Sequence, residues 1–132
     1  VSPTGPKDYD EPIPVFIGES WKPEITVRDG VRTSALPDGA TVDISSANRD
    51  VLLTIYKPDG SANYVRSLVD DGTKTDAPNG KGEFAVADTV TALWGEGVYA
   101  WEMEYQDSTP TPETKLLIAT GTIVVRKKPS AS

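Results

Sequence analysis

The clearest signal in the chain is alternation. From Val98 to Tyr105, the side chains of Tyr99, Trp101, Met103 and Tyr105 fall on one face, and Ala100, Glu102 and Glu104 on the other. Period two over this length predicts a strand with one buried and one wet side. Val51-Leu52-Leu53-Thr54-Ile55-Tyr56 predicts a second strand, running into Lys57-Pro58-Asp59-Gly60, a turn with Pro pre-set at its second position. Asn63 to Val69 then returns antiparallel and completes a hairpin. Gly82 to Val86 restores alternation. Lys115 to Arg126 is apolar and β-branched, and Gly121 at its middle predicts a bend or bulge there.

Weaker patterns fill the rest. Val15 to Ile17 predicts a short first strand. In Trp21 to Val27, the residues Trp21, Pro23, Ile25 and Val27 share a face, and Pro23 confines the segment to an edge or bulge. Residues 28 to 50 carry one predicted strand, Thr41 to Ile44. Asp70 to Lys81 reads as a polar loop. Asp88 is an N-cap candidate for a single helical turn bearing Val90, Leu93 and Trp94. The dipeptides Asp29-Gly30, Asp38-Gly39, Asp59-Gly60, Asp71-Gly72 and Asn79-Gly80 predict turns with positive φ.

Short strands, frequent turns and no long helix predict an all-β fold: an antiparallel immunoglobulin-like β-sandwich of about seven to eight strands. Residues 15–126 form this domain. Residues 1–14, with Pro3, Pro6, Pro12 and Pro14, read as an extended Pro-rich arm, and residues 127–132 as a carboxy-terminal tail. The opening Val1-Ser2-Pro3-Thr4-Gly5-Pro6 lacks the apolar core and basic leader of a signal peptide.

Composition narrows the chemistry. The 132 residues suit one core, and a net charge of −7 opposes binding to nucleic acid or to an anionic membrane. No apolar run approaches the roughly 18 residues of a membrane span. Cysteine and histidine are both absent. That excludes disulfides, thiolate nucleophiles, Ser-His-Asp and Cys-His triads, and the commonest transition-metal ligands. The lack of disulfides favours assembly in a reducing cytoplasm.

Three constellations remain. Asp70, Asp71, Asp76, Asn79 and Glu83 gather oxygens in one segment, but their spacing does not match a calcium loop, and a solvated loop is the plainer reading. Glu102 and Glu104 share one strand face, whereas glycoside chemistry needs two carboxylates across a cleft of about 5–10 Å. Trp21, Trp94 and Trp101, with Tyr99 and Tyr105, supply either an aromatic platform for sugar rings or the core. Trp94, beside a loop, is the best candidate for an exposed role. Gly95-Glu96-Gly97 is a tight turn rather than a phosphate cradle, having no Lys or helix after it. No catalytic, cofactor-binding or metal-ligating residue is assigned.

Thr91-Ala92-Leu93-Trp94-Gly95-Glu96-Gly97-Val98-Tyr99-Ala100-Trp101, followed by Gly121-Thr122-Ile123-Val124-Val125, resembles the ending of small β-sandwich domains in tailed-phage virion proteins. The amino-terminal domain of baseplate upper proteins is one such domain. Gly18-Glu19-Ser20-Trp21, Ile25-Thr26-Val27 and the Tyr56-Lys57-Pro58-Asp59-Gly60 hairpin fit the same layout. Residues 28 to 50 are longer than that pattern, and no fibre or receptor-binding region follows. The resemblance implies a non-enzymatic structural protein of the virion, tail- or baseplate-associated and assembled in the host cytoplasm. Its partners would be other virion proteins, in a homo-oligomer or symmetric assembly. The expected partner-binding residues are Pro3, Pro6, Tyr9 and Pro12 of the arm, Trp94, and the basic Arg126, Lys127 and Lys128. The alternatives are a carbohydrate- or surface-binding module, with Trp94 or Trp21 as platform, and a capsid decoration protein.

Overall fold

In a computed structural model that describes residues 7–8, 12–28, 34 and 39–128, the alternating segments pair into two sheets. The first sheet takes β1 (Lys7–Asp8), β2 (Ile13–Phe16), β4 (Arg49–Tyr56), β5 (Ala62–Ser67), β8 (Gly97–Asp107) and β9 (Thr114–Arg126). The second takes β3 (Glu24–Thr26), β6 (Gly72–Asp76) and β7 (Lys81–Phe84). Two single helical turns, α1 (Leu68–Asp71) and α2 (Asp88–Thr91), and a 3-10 turn at Ala77–Asn79 complete the described elements. The molecule is mostly β.

Strand order in the first sheet is β1-β9-β8-β4-β5, with β2 also on β9; in the second it is β3-β7-β6. β8 lies antiparallel to both β4 and β9, whereas β1 and β2 run parallel to β9. Alternation decides what each strand buries. Tyr99, Trp101, Met103 and Tyr105 of β8 are buried, as are Val51, Leu53 and Ile55 of β4. One apolar cluster joins these to Ile25, Phe84 and Val86 from the second sheet, so both sheets close on a shared core.

Several local expectations need correction. Gly121 is not the bulge. It pairs with Trp101, and the β8–β9 register slips instead between Met103 and Glu104, where Ile118 is the extra residue. The glycine serves space: a Cβ there would stand 2.6 Å from three atoms of the Trp101 indole. The segment read as a loop, Asp70 to Lys81, holds α1, β6 and the 3-10 turn. Within it, Gly72 has φ −149° and opens β6 rather than making a positive-φ turn. A Cβ on Gly72 or Gly82 would fall within 3 Å of the Leu68 side chain, so the two glycines form the seat for that buried leucine. Gly80 does turn as expected, at φ +73°, with the Val27 and Val42 carbonyls too close for any Cβ.

The strand expected from Val15 is β2, which begins at Ile13 and includes Pro14, as an edge strand tolerates, and a two-residue β1 precedes it. Thr41 to Ile44 forms no regular strand. Thr41 makes a single bridge to Arg28, Val42 N–H donates to Val27 O (2.9 Å), and Ile44 N–H donates to Ala77 O (2.9 Å). Asp88 lies inside α2, whose N-cap is Ala87. The turn is anchored at its other end by Thr91, fully buried, whose hydroxyl accepts from Gly18 N–H (3.2 Å) and donates to Glu19 O (2.7 Å).

Candidate functional site

Leu93 stands 87% exposed just after α2, beside the outer edge of β5. It is the most exposed large apolar side chain among the described residues. Together with Val90 and Trp94 from the α2 turn, and Ala62, Tyr64, Val65 and Arg66 from β5, it lines an open groove of about 380 Å³.

Two aromatic side chains, Tyr64 and Trp94, line that groove, and Tyr99 of β8 backs them. Tyr64 meets Trp94 edge-on, with centroids 6.2 Å apart, and Trp94 stacks on Tyr99 at 5.9 Å. Tyr99 in turn donates its hydroxyl to Gly95 O (2.8 Å), tying the loop after Trp94 to the start of β8. The Arg66 guanidinium lies 4.1 Å above the Tyr64 ring, with Nε 3.8 Å from Asp71 and Nη1 donating to Val65 O (2.9 Å). Burial raises the Tyr64 phenol above its ordinary pKa, with the nearby Arg66 charge opposing that rise.

β5 has one strand neighbour, β4, among the described residues. The β4–β5 register slips between Ile55 and Tyr56, with Asn63 the extra residue, so the alternation is counted along β4. Lys57 N–H donates to Ser61 O (2.8 Å), and Thr54, three residues earlier, turns its backbone away together with its partner Val65. Ser67, two residues on from Val65, likewise donates its N–H to Asp71 (3.4 Å) rather than to β4. The Val65 backbone therefore faces the open edge, consistent with its carbonyl receiving the Arg66 side chain.

The expected partner-binding residues that the structure describes fall on separate elements. Pro3, Pro6 and Tyr9 lie outside the described residues. Pro12 is exposed just before β2. Trp94 is 5% exposed, its rings held between Tyr64 and Tyr99. Arg126 ends β9, exposed, and its carbonyl accepts from Ile17 N–H (2.9 Å). Lys127 is exposed, and Lys128 Nζ pairs with Glu19 Oε1 at 3.3 Å. Sequence reasoning missed Tyr64, Val65, Arg66 and Leu93 as one cluster. The signal was present in part: Leu93 is an apolar residue on a single turn that can bury only one side.

The carboxylates have local work. Glu102 accepts the Tyr56 hydroxyl, and that bond is the first cause of a raised Tyr56 pKa, ahead of burial and the charges of Glu102 and Glu104. Glu104 accepts from Gln106 Nε2 (2.8 Å). Asp71 faces Arg66, and Asp76 accepts from Asn79 Nδ2 (2.9 Å). No group of three or more His, Cys, Asp or Glu converges as a metal site among the described residues.

Nor does any described helix have the length and apolarity to cross a membrane. No protein-family model and no curated protein matches the chain.

Proposed function

We propose that this chain is an immunoglobulin-like β-sandwich module that acts by assembly rather than catalysis, as a structural protein of a tailed-phage virion at the tail or baseplate. The strand order supports the fold. A five-strand path in which β9 runs antiparallel to β8 and takes the amino-terminal β1 in parallel, and a β3-β7-β6 sheet sharing the core, are what two layers of such a sandwich would give. Tyr99 adds a second mark, a tyrosine at the start of a late strand whose hydroxyl reaches backbone four residues upstream.

The observation that carries the assembly reading is the placement of apolar surface. Leu93, Val65 and the aromatic groove gather at an open sheet edge, where protein partners dock. A glycan platform needs an open aromatic face, and Trp94 presents 5% of its surface. A capsid decoration role differs from the tail reading only in the neighbours it would have.

Antibodies against the folded chain should label the tail or baseplate of particles released by the host that encodes it. Purified particles that carry neither label nor peptides of this chain would sink the virion reading.

A further inference from the structure

We propose that the open edge of β5 is a self-association site, at which a second copy of this chain adds its own β5 antiparallel to form a two-fold dimer. This deepens the assembly reading above by naming the partner as another copy.

Three observations select the edge and the occupant. First, the other sheet edges are obstructed. Pro12 and Pro14 lie on the β1–β2 edge, Pro23 precedes β3, and Lys74 of β6 donates to the Ser46 and Arg49 carbonyls. β5, Ala62-Asn63-Tyr64-Val65-Arg66-Ser67, carries neither Pro nor Lys. Second, the Val65 backbone faces outward. A two-fold axis through Val65, perpendicular to the sheet, lets the two Val65 residues exchange both backbone bonds and cover each other's side chain, which is 45% exposed.

Third, that register is chemically self-complementary. Residues directly opposite across an antiparallel pair share a face, so each Tyr64 stands opposite the partner's Arg66. The cation–ring contact that Arg66 makes within its own chain at 4.1 Å is thereby replaced by the same contact between chains. The guanidinium of the incoming strand enters the groove beside Leu93 and Val90 and covers the exposed leucine. No like charges meet, because Arg66 is the one charged residue of the strand. The edge is six residues long, so the contact is a small one, with a Kd on the order of 0.1–1 mM.

The chain has no cysteine, which gives a clean test. The two Val65 Cα atoms would lie about 5.5 Å apart, inside the roughly 4.4–6.8 Å that a disulfide spans. Under mild oxidation, Val65→Cys should form covalent dimers at least about tenfold faster than Val98→Cys, a site 57% exposed on β8. Wild-type protein should show a reversible dimer in sedimentation that Val65→Lys abolishes, since it sets two ammonium groups across the axis. Equal cross-linking of the two cysteine variants, a wild-type chain that stays monomeric, or a dimer that survives Val65→Lys each overturns the proposal. Labelled particles with an inert Val65→Cys chain would remove this edge and leave the virion reading standing. Cross-linking at Val65→Cys with unlabelled particles would do the reverse.

Discussion

Trp101 and Gly121 face each other across β8 and β9, and the indole occupies the space where a side chain on residue 121 would begin. Three ring atoms stand 2.6 Å from that Cβ position, in a core where Trp101 is 5% exposed. Neither partner has room to yield. Gly121→Ala should therefore cost about 1–3 kcal/mol through overpacking, read as a lower urea midpoint. An unchanged midpoint would show that the strands relax more freely than this packing implies.

The same logic governs Leu68, which seats against Gly72 and Gly82. Leu68→Ala should cost about 2–5 kcal/mol, while Val69→Ala next to it, a side chain 46% exposed, stays within about 0.5 kcal/mol. Gly82→Ala alone drives a methyl into the leucine, but in the Leu68→Ala background it fills vacated space. The double-mutant cycle should thus be strongly non-additive, and additive values would contradict the seat.

Thr91 joins the Gly18 turn to α2 through one hydroxyl with three backbone partners, Gly18 N–H, Glu19 O and, within α2, Asp88 O (3.2 Å). Thr91→Val keeps the shape and removes the hydroxyl that serves these partners, at a side chain that is itself fully buried. A loss of about 1–3 kcal/mol is expected, with Thr91→Ser keeping the hydrogen bonds. Equal stability of the Val and Ser variants in denaturant titration would count against this role.

Much of this was readable beforehand, and the reason is burial on one side. β8 and β4 each have a wet and a dry face, so Tyr99 to Tyr105 and Val51 to Ile55 announce themselves by alternation. β6 does not, because Gly72-Thr73-Lys74-Thr75-Asp76 is a polar edge strand whose pairing comes from β7 rather than from any apolar pattern. Likewise Leu68 and Val69 look like a continuation of β5. The turn to α1 is fixed from outside, by Asp50 accepting from the Ser67 hydroxyl and from Val69 N–H (3.1 Å). The groove was legible only in pieces, since Leu93 and Val65 become neighbours through the packing of α2 on β5.

Acid should weaken the fold through Asp107. Its carboxylate accepts from Thr109 N–H (2.9 Å) and, on the opposite strand, pairs with Arg49 at 3.3 Å. Hydrogen bonding from the Thr109 backbone leads, with burial opposing, and Thr109 side-chain and Arg49 interactions assisting; the net effect lowers the pKa. A folded-state value below the unfolded one means stabilisation present above the ordinary Asp range, about pH 4, and lost as pH falls through the folded value. Urea midpoints between about pH 2 and pH 7 should fall on the acid side, and less steeply in Asp107→Asn. Identical slopes for the two proteins would remove Asp107 from the acid response.

The parallel pairing of β2 with β9 has a consequence for how the domain is made. Ile13 meets Ile123, and Phe16 meets Arg126, so an early strand of the chain rests on the last described one. During synthesis, β2 leaves the ribosome long before the strand that will hold it. Until β9 follows, Val15 has no core to enter and the first sheet lacks a side. Closure is therefore a late event, and a nascent chain halted before residue 114 would hold an unpaired, Pro-marked strand in waiting rather than a finished domain.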